Sequence, residues 1–358
     1  AMDGIIFCKR LIYRIFRIVF KNKEIPFPIS TLKVRKILIF RYDVVGDMIV
    51  SFPAFELLRS SLPQAKIYVL ASEKNYKLVQ NFSAIDGYFV YPRNFLKRIS
   101  LILRLRKEQF DLIINFVFYR TTKAGLIANL INRKAIKVNL GHETRGALYS
   151  ALFNVQILPE YRGKYPMSEF LCRYICNLFG WEFKASSLEV YRLPIPENSV
   201  RKAKEFVQSI PYSKKLLINI SAQRRWSCSN YSELIQLLTS RFPSLGLIFI
   251  GLPKDYKKIR LITANAKENV FVYPMSNDIF DVIALVREVD FVFTPDTSIV
   301  HIANAFRKPV AILYSFQSSY IEEWMPNLVP FEVLATNNHK NYDGISIDEV
   351  FNAIVKLI

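Results

Sequence analysis

Short apolar runs alternate with amphipathic stretches along most of the chain. From residue 35 onward, segments that suit buried strands are each followed by a loop and then by apolar residues at helical spacing. Such alternation predicts a parallel sheet with helices on both faces. In the first half, the predicted strands are Lys36–Phe40, Lys66–Ala71, Asp111–Phe116 and Ala135–Leu140, and the helical patterns are Met48–Ser61 and Arg120–Ile131.

The alternation is interrupted once and then resumes. The interruption reads "SSLEVYRLPIPENSV", residues 186–200, with two prolines and no periodicity, which is typical of an interdomain linker. A closing helix, Ile347–Ile358, has Ser346 as its predicted N-cap. The predicted strands of the second half are Leu216–Ser221, Leu245–Gly251, Val270–Tyr273, Phe291–Thr294 and Pro309–Tyr314.

A chain of 358 residues is too long for one ordinary core, so we expect two doubly wound α/β domains. Their predicted extents are residues 31–190 and 191–358, and the last helix is a candidate to pack back on the first domain. Facing domains of this kind bind ligands at the carboxyl ends of their strands, where the loops collect.

Residues 1–30 read as a separate basic extension. The run "IIFCKRLIYRIFRIVF", residues 5–20, contains too many charges for a membrane span or a signal peptide. A helix here either lies in the interface of an anionic bilayer or packs its apolar side on the protein. Its basic face carries Arg10, Arg14, Arg17 and Lys21.

Composition adds a strong positive charge. Hydrophobic residues make up 51% and charged residues 22%, which excludes general disorder, while 49 Lys+Arg against 30 Asp+Glu give +19. That balance suits nucleic acid, an acidic membrane or phosphorylated substrates, or it reflects a basic coding bias without a partner. Cys172 and Cys176 are spaced like one helical face, which predicts buried free thiols in a reducing cytoplasm and no zinc site.

Three loops that follow predicted strands carry dense polar chemistry. The first reads "RYDVVGD", residues 41–47. Gly46 allows a tight turn or a close approach to a ligand. Asp47 stands where a helix begins, so it either caps that helix or faces the predicted ligand crevice, and the two roles are compatible. Asp43 has the character of a polar loop residue.

The second loop reads "SAQRRW", residues 221–226. Its adjacent Arg224 and Arg225 offer forked donors that suit a phosphate or diphosphate, or they form a solvated surface pair.

The third loop reads "TPDTSIVH", residues 294–301. Asp296, Thr297 and Ser298 open a helix whose free N–H groups attract anions, and Asp296 or Thr297 is also a candidate cap. His301 lies one turn further, either facing the same crevice or satisfied within the core.

These loops resemble the signatures of a known family. "ILIFRYDVVGDMIVSFPAFELLRSSLPQAKIYVLA" resembles the N-terminal signature of family-nine glycosyltransferases, the ADP-heptose:lipopolysaccharide heptosyltransferases. "DLIINFVFYRTTKAGLIANL" is similar to a later strand and helix of that family, and "TPDTSIVHIANAFRKPVAILY" resembles its C-terminal signature. The resemblance covers residues 34–358.

The resemblance implies a GT-B fold, with two facing Rossmann-like domains that bind the acceptor and the nucleotide sugar. The family's catalytic base falls on Asp47, which would take the proton of the acceptor hydroxyl in an inverting displacement. The family's basic residue before the Trp falls on Arg224 or Arg225, where a lysine is usual. The nucleotide-sugar site implied falls on Ser221, Asp255, Asp296, Thr297, Ser298 and His301, with Ser298-Ile299 standing where many members have Gly-Pro.

The resemblance also implies that no metal or other cofactor is required, and the chain contains no Asp-x-Asp. A helix N-terminus and cationic side chains would then stabilise the leaving diphosphate. The implied acceptor is a phosphorylated lipopolysaccharide inner core at the cytoplasmic face of the bacterial inner membrane, which matches the basic charge. The candidate acceptor-binding residues are Gly46, Arg120, Lys123, His142 and Arg145.

Three alternatives stay open from the sequence. The motifs specify a diphosphate site more firmly than the sugar, so another nucleotide sugar is the nearest alternative. A relative that binds without catalysing is disfavoured by the intact Gly46-Asp47 pair. A nucleic-acid-binding protein would need base-stacking aromatics interleaved with basic residues, or a recognition module, and neither is evident.

Overall fold

The chain folds into two compact units that divide at Pro194, within the predicted linker. The computed structural model describes residues 14–16, 18–20, 22–118, 121–142, 146–158, 162–189, 191–316 and 321–358.

The first unit is built on a parallel six-stranded sheet in the order β3-β2-β1-β4-β5-β6. Strand β1 lies in the middle, and every residue of it after Lys36 is buried, as expected for a strand with helices on both faces. The strands are β1 (Lys36–Arg41), β2 (Lys66–Ser72), β3 (Gly87–Tyr91), β4 (Leu112–Asn115), β5 (Ile136–Leu140) and β6 (Val155–Ile157).

In the described part of the first unit, seven α-helices that follow β1 connect or cover these strands. They are α1 (Val45–Ile49), α2 (Phe52–Ser61), α3 (Lys77–Gln80), α4 (Phe95–Lys107), α5 (Thr121–Ile131), α6 (Gly146–Leu152) and α7 (Met167–Phe179). Helix α7 carries Cys172 and Cys176, which are buried free thiols as predicted.

The second unit repeats the design with a parallel sheet in the order β12-β11-β10-β7-β8-β9. Its strands are β7 (Lys214–Asn219), β8 (Leu245–Ile250), β9 (Val270–Val272), β10 (Phe291–Pro295), β11 (Val310–Ser315) and β12 (Phe331–Thr336). Its helices are α8 (Glu197–Gln208), α9 (Cys228–Arg241), α10 (Tyr256–Ile262), α11 (Ile279–Glu288), α12 (Ser298–Ala305) and α13 (Ile347–Leu357).

The last helix, α13, starts where the sequence predicts. Ser346 accepts a hydrogen bond from the backbone N–H of Glu349, and the Glu349 side chain accepts one from the Ser346 backbone, which together form a capping box. Val350 and Ile354 join the apolar core of the second unit, where α13 packs on β11, β12 and α9.

The predicted strands are all present, but three observed strands were not predicted. β3, β6 and β12 lie at the outer edges of their sheets, and most residues of β3 and β12 are only half-buried. Edge strands are covered on fewer sides than central ones, so their sequences lack the continuous apolar run that marks a buried strand. The predicted helix Met48–Ser61 is two helices, because Pro53 cannot donate to a continuing helical ladder.

The described part of the N-terminal segment packs on the first unit. Phe16 and Phe20 contact an apolar cluster that includes Tyr149 on α6, while Ile15 and Ile18 remain exposed. Of the predicted basic face, Arg14 is described, and Arg10, Arg17 and Lys21 lie outside the described residues. None of the helices in the described part of the chain combines the length and apolar character needed to cross a bilayer.

Candidate functional site

Asp47 lies at the carboxyl edge of the first sheet, in the first turn of α1, just beyond β1. The N-cap of α1 is Val44, and no side chain caps this helix. The interpretation of Asp47 as a helix cap is therefore wrong. Its side chain is 17% exposed, and its Oδ1 lies 3.6 Å from Nη2 of Arg41. The carboxylate is thus paired with a cation and still reachable from solvent.

Arg41 is the buried centre of this loop, with a side chain only 2% exposed. Its Nε donates to the Asp47 carbonyl oxygen at 2.7 Å and to Ser51 Oγ at 2.9 Å. Its Nη1 donates to the Phe116 carbonyl oxygen at 2.6 Å and to Asp43 Oδ2 at 3.1 Å. Because the guanidinium is planar and its donors have fixed directions, these bonds set the backbone position of Asp47.

Asp43 is a second carboxylate held by the same guanidinium. Its Oδ1 is buried and has no hydrogen-bond partner among the described residues. Burial, and then the nearby Asp47, raise the pKa of Asp43 to about 7, although Arg41 opposes the shift. The sequence alone gave no reason to expect more than a polar loop residue here. Asp43 therefore changes charge near neutral pH, beside the candidate base.

We expect Asp43→Asn to change how stability depends on pH. Since the folded-state pKa lies above the ordinary value of 3.8, the folded protein retains this proton between pH 3.8 and about 7 while the unfolded chain loses it. The wild type therefore loses stability as pH rises through that window, and the neutral Asn variant does not. The stability of the variant relative to wild type should rise by about 2 kcal/mol from pH 5 to pH 7 and then level off.

Urea unfolding followed by circular dichroism at pH 5, 6, 7 and 8 measures this difference. Asp86→Asn is the matched control, because the pKa of Asp86 is lowered: burial raises it, but hydrogen bonds from Ile67 and Lys66 and the charge of Arg59 outweigh that effect. The stability of this control relative to wild type should stay constant from pH 5 to pH 7. A constant difference for Asp43→Asn as well would show that Asp43 is ionised throughout.

An aromatic pair borders the carboxylates. Tyr42 stacks on Tyr91 at the end of β3, with ring centroids 4.9 Å apart, and Lys123 Nζ lies 4.7 Å from the Tyr91 ring centroid. Burial raises the pKa of Tyr42 well above its usual value. Lys123 is thus next to the Asp47 loop, and its role in acceptor binding stays a prediction. The tyrosine pair was missed, because no local pattern brings together residues from different strands.

The other predicted acceptor-binding residues lie in different surroundings or outside the described residues. Gly46 is buried inside α1, directly before Asp47. His142 packs edge-to-face on Tyr149, with ring centroids 6.2 Å apart. Arg120 and Arg145 lie outside the described residues.

In the second unit, Ser221 and Asp255 form a buried pair at the carboxyl ends of β7 and β8. Ser221 Oγ donates to Asp255 Oδ2 at 2.7 Å, and it accepts from the Leu252 N–H at 2.7 Å. Burial raises the pKa of Asp255, but the bonds from Ser221 and Lys258 and the charges of Lys258 and Arg225 lower it more, so the net shift is downward. Asp255 is therefore an anionic acceptor at this edge.

The two adjacent arginines point to different partners. Arg225 is exposed, and its Nη2 lies 3.8 Å from Asp255 Oδ1, beside a cavity of about 400 Å³ that Lys258 and Lys340 also line. Arg224 donates from Nε to the His339 carbonyl oxygen at 3.0 Å. Its guanidinium hydrogen-bonds the Tyr342 hydroxyl and partly offsets the rise that burial causes in the pKa of Asp296. Arg224 therefore belongs with the β10 loop, and Arg225 with Asp255.

The β10 loop places its polar residues at the start of α12. Thr297 is the N-cap, and its Oγ1 accepts from the Ile299 N–H at 3.3 Å, so Thr297 is the cap of the two candidates. Ser298 is the first helical residue, and Asp296 lies just before the cap. His301 is buried one turn later, with its ring centroid 5.9 Å from that of Trp324. The predicted nucleotide-sugar residues thus gather at one edge of the second sheet, and no set of three potential metal-ligating acids, cysteines or histidines occurs in the described chain.

Two parallel six-stranded sheets with polar loops at their carboxyl edges are the architecture of the GT-B fold. The chain belongs to glycosyltransferase family 9 (heptosyltransferase), whose model matches residues 98–341.

Three related proteins illustrate the match. Lipopolysaccharide heptosyltransferase 1 of Campylobacter coli is 19% identical over 311 residues, which cover 82% of this chain and 87% of that protein. The crystal structure of the family 9 glycosyltransferase of Veillonella parvula has a TM-score of 0.75 at 18% identity and covers 92% of this chain and 99% of its own. The E. coli heptosyltransferase WaaC with ADP-2-deoxy-2-fluoro heptose has a TM-score of 0.65 at 16% identity, with coverages of 90% and 99%.

Proposed function

We propose that this glycosyltransferase transfers a heptose from ADP-heptose to a sugar of a lipopolysaccharide inner core, with Asp47 as general base. The main support for this proposal is the position of the Asp47 carboxylate, which is paired with Arg41 at the carboxyl edge of the sheet and caps no helix. The named substrates of the relatives support the donor and the acceptor: one is a lipopolysaccharide heptosyltransferase, and another is described with an ADP-heptose analogue.

The proposed reaction is a single displacement with inversion. The acceptor oxygen forms a bond to the anomeric carbon of the heptose as the bond between that carbon and the diphosphate oxygen breaks. Asp47 takes the hydroxyl proton, and ADP departs with the electron pair of the broken bond. A carboxylate is suited to this role because the hydroxyl becomes acidic only as its oxygen attacks.

The second unit supplies the proposed donor site. The first N–H groups of α12, capped by Thr297, would meet the diphosphate together with Ser298 and Arg224. Arg224 is the better candidate of the two arginines because it lies beside Asp296 and Tyr342 at this loop. Ser221 and Asp255 would accept hydrogen bonds from the nucleoside. His301 lies on α12, whose first N–H groups would meet the diphosphate.

We propose that the reaction requires no metal. The charge that develops on the departing diphosphate would be balanced by the Arg224 guanidinium and by the partial positive charge at the start of α12. Magnesium and EDTA should therefore give equal turnover.

We also propose that the enzyme works at the cytoplasmic face of the inner membrane, with its N-terminal helix contacting anionic lipid. The exposed Ile15, Ile18 and Val19 of the described N-terminal segment are the apolar side available for that contact. The net charge of +19 would favour an anionic surface and a phosphorylated acceptor.

A glycosyltransferase with the same fold but a different donor is the second candidate, because the loops specify a diphosphate more firmly than a sugar. Calorimetry with the full chain carrying Asp47→Asn separates the two, since that variant should bind donor without consuming it. We expect ADP-heptose to bind at least about tenfold more tightly than ADP-glucose, UDP-N-acetylglucosamine or GDP-mannose, a difference of about 1.4 kcal/mol. Preferential binding of a UDP- or GDP-sugar would exclude ADP-heptose as the donor.

A further inference from the structure

Helix α4 exposes an unusual amount of apolar surface. Phe95, Leu96, Ile99 and Leu103 are 69%, 73%, 43% and 54% exposed, and they recur at helical spacing within an arc of roughly 100°. The opposite side of the helix buries Leu101 and Leu105 in the core of the first unit. The exposed stripe is therefore not the side that holds the helix on the protein.

The same helix is strongly basic and carries no acid. Lys97, Arg104, Arg106 and Lys107 are exposed, and none of them pairs with a carboxylate of the described residues. Arg106 and Lys107 lie along the apolar stripe, whereas the guanidinium carbon of Arg104 lies 4.9 Å from the ring centroid of Phe89. The first acid after the helix, Glu108, is paired with Lys36 instead. Apolar side chains flanked by uncompensated cations match the boundary of an anionic bilayer, where acyl chains lie below a layer of phosphates.

The position of α4 connects this surface with the site. The helix begins four residues after the end of β3, so Phe95 and Leu96 lie at the carboxyl edge of the sheet, which is also the edge of the Asp47 loop. Near the start of α4, the Arg98 guanidinium carbon lies 5.1 Å from the ring centroid of Tyr91, the partner of Tyr42, so the helix itself contacts the aromatic pair beside the Asp47 loop.

We propose that the exposed face of α4 is a membrane-docking surface that inserts Phe95, Leu96, Ile99 and Leu103 among the acyl chains of an anionic lipid monolayer. The cations around them bind the lipid phosphates. This surface is separate from the N-terminal helix. On the proposed function, it also explains how an acceptor anchored in a bilayer reaches Asp47: docking places the carboxyl edge of the first sheet at the lipid surface.

Flotation with vesicles tests the surface in the full-length chain. The test variant carries Phe95→Gln, Leu96→Gln, Ile99→Gln and Leu103→Gln, because Gln suits an exposed helix and these side chains are not in the core. The vesicles are phosphatidylcholine with about 30% phosphatidylglycerol. We expect the partition coefficient of the α4 variant between vesicles and water to be lower than that of the wild type by about tenfold or more. The control carries Leu130→Gln, Leu158→Gln, Leu261→Gln and Val355→Gln, which remove exposed apolar groups elsewhere, and should bind like wild type.

Two further variants identify the source of binding. Lys97→Gln with Arg106→Gln and Lys107→Gln should weaken binding to the anionic vesicles and reduce its dependence on salt, with little effect on pure phosphatidylcholine. Ile15→Gln with Ile18→Gln and Val19→Gln measures how much the N-terminal helix contributes to vesicle binding. When the α4 substitutions are added to this variant, they should still lower vesicle binding by the same factor.

Wild-type binding by the α4 variant would overturn the proposal. Wild-type dimers that become monomers in this variant, as measured by analytical ultracentrifugation, would also overturn it and identify the stripe as a protein interface. Flotation needs no substrate, so its result does not depend on the proposed donor. Conversely, an α4 variant that binds vesicles poorly but keeps wild-type turnover on a delipidated acceptor supports the docking role, whatever nucleotide sugar is used.

Discussion

Replacing Asp47 by Asn is expected to lower kcat for sugar transfer about 10³-fold while leaving the dissociation constant for the donor unchanged. The amide keeps the size of the carboxylate but cannot accept the acceptor proton, and removing a general base typically costs 10²- to 10⁴-fold. Donor binding should persist, because the proposed donor residues all belong to the second unit. Steady-state kinetics and calorimetry on the same preparation measure both quantities.

The matched control is Asp86→Asn. Asp86 is an acid of the same unit, but it lies directly before β3, at the amino ends of the strands. This variant should retain kcat within about twofold, with only the loss of stability that follows from breaking its ion pairs. Asp47→Asn with wild-type turnover would exclude Asp47 as the base. A loss of turnover together with a loss of donor binding would instead assign it a structural role.

Replacing Arg224 by Met is expected to lower kcat about 10²-fold, because a cation beside the leaving diphosphate is most valuable when that group gains charge. Arg225→Met is the control, since Arg225 is exposed and lies with Asp255. It should change kcat less than tenfold and act mainly on the KM of the donor. The experiment compares kcat and KM in both variants at saturating acceptor.

Arg224→Lys provides a second test of the same assignment. It keeps the charge but not the fork of donors, so it should recover about half of the loss in activation free energy. The opposite ranking, with Arg225→Met as the severe variant, would move the diphosphate site towards the cavity beside Lys258 and Lys340.

The sequence predicted the central architecture and the position of the polar loops after the strands, because both depend on local patterns. Apolar runs mark the buried strands, and chemistry on parallel sheets collects just after strand ends. The arrangement within the loops depends on distant residues instead. Phe116 is 75 residues from Arg41, and Tyr91 comes from a strand that the apolar pattern did not reveal. The sequence also could not show that Arg224 and Arg225 have different partners, because the directions of adjacent side chains in an irregular loop follow no periodic pattern.

Arg41 ties the backbone of the candidate base to the ends of neighbouring strands. Besides its bonds to Asp47 and Phe116, its own carbonyl oxygen accepts from Asn75 at 2.9 Å, just beyond β2. The candidate base therefore takes its position from the middle of the sheet and not from the segments around Lys123 and His142. On the proposed function, those segments can therefore change in sequence, and with them the choice of acceptor, without moving the candidate base. On the same proposal, engineering of a new acceptor specificity would begin in these segments.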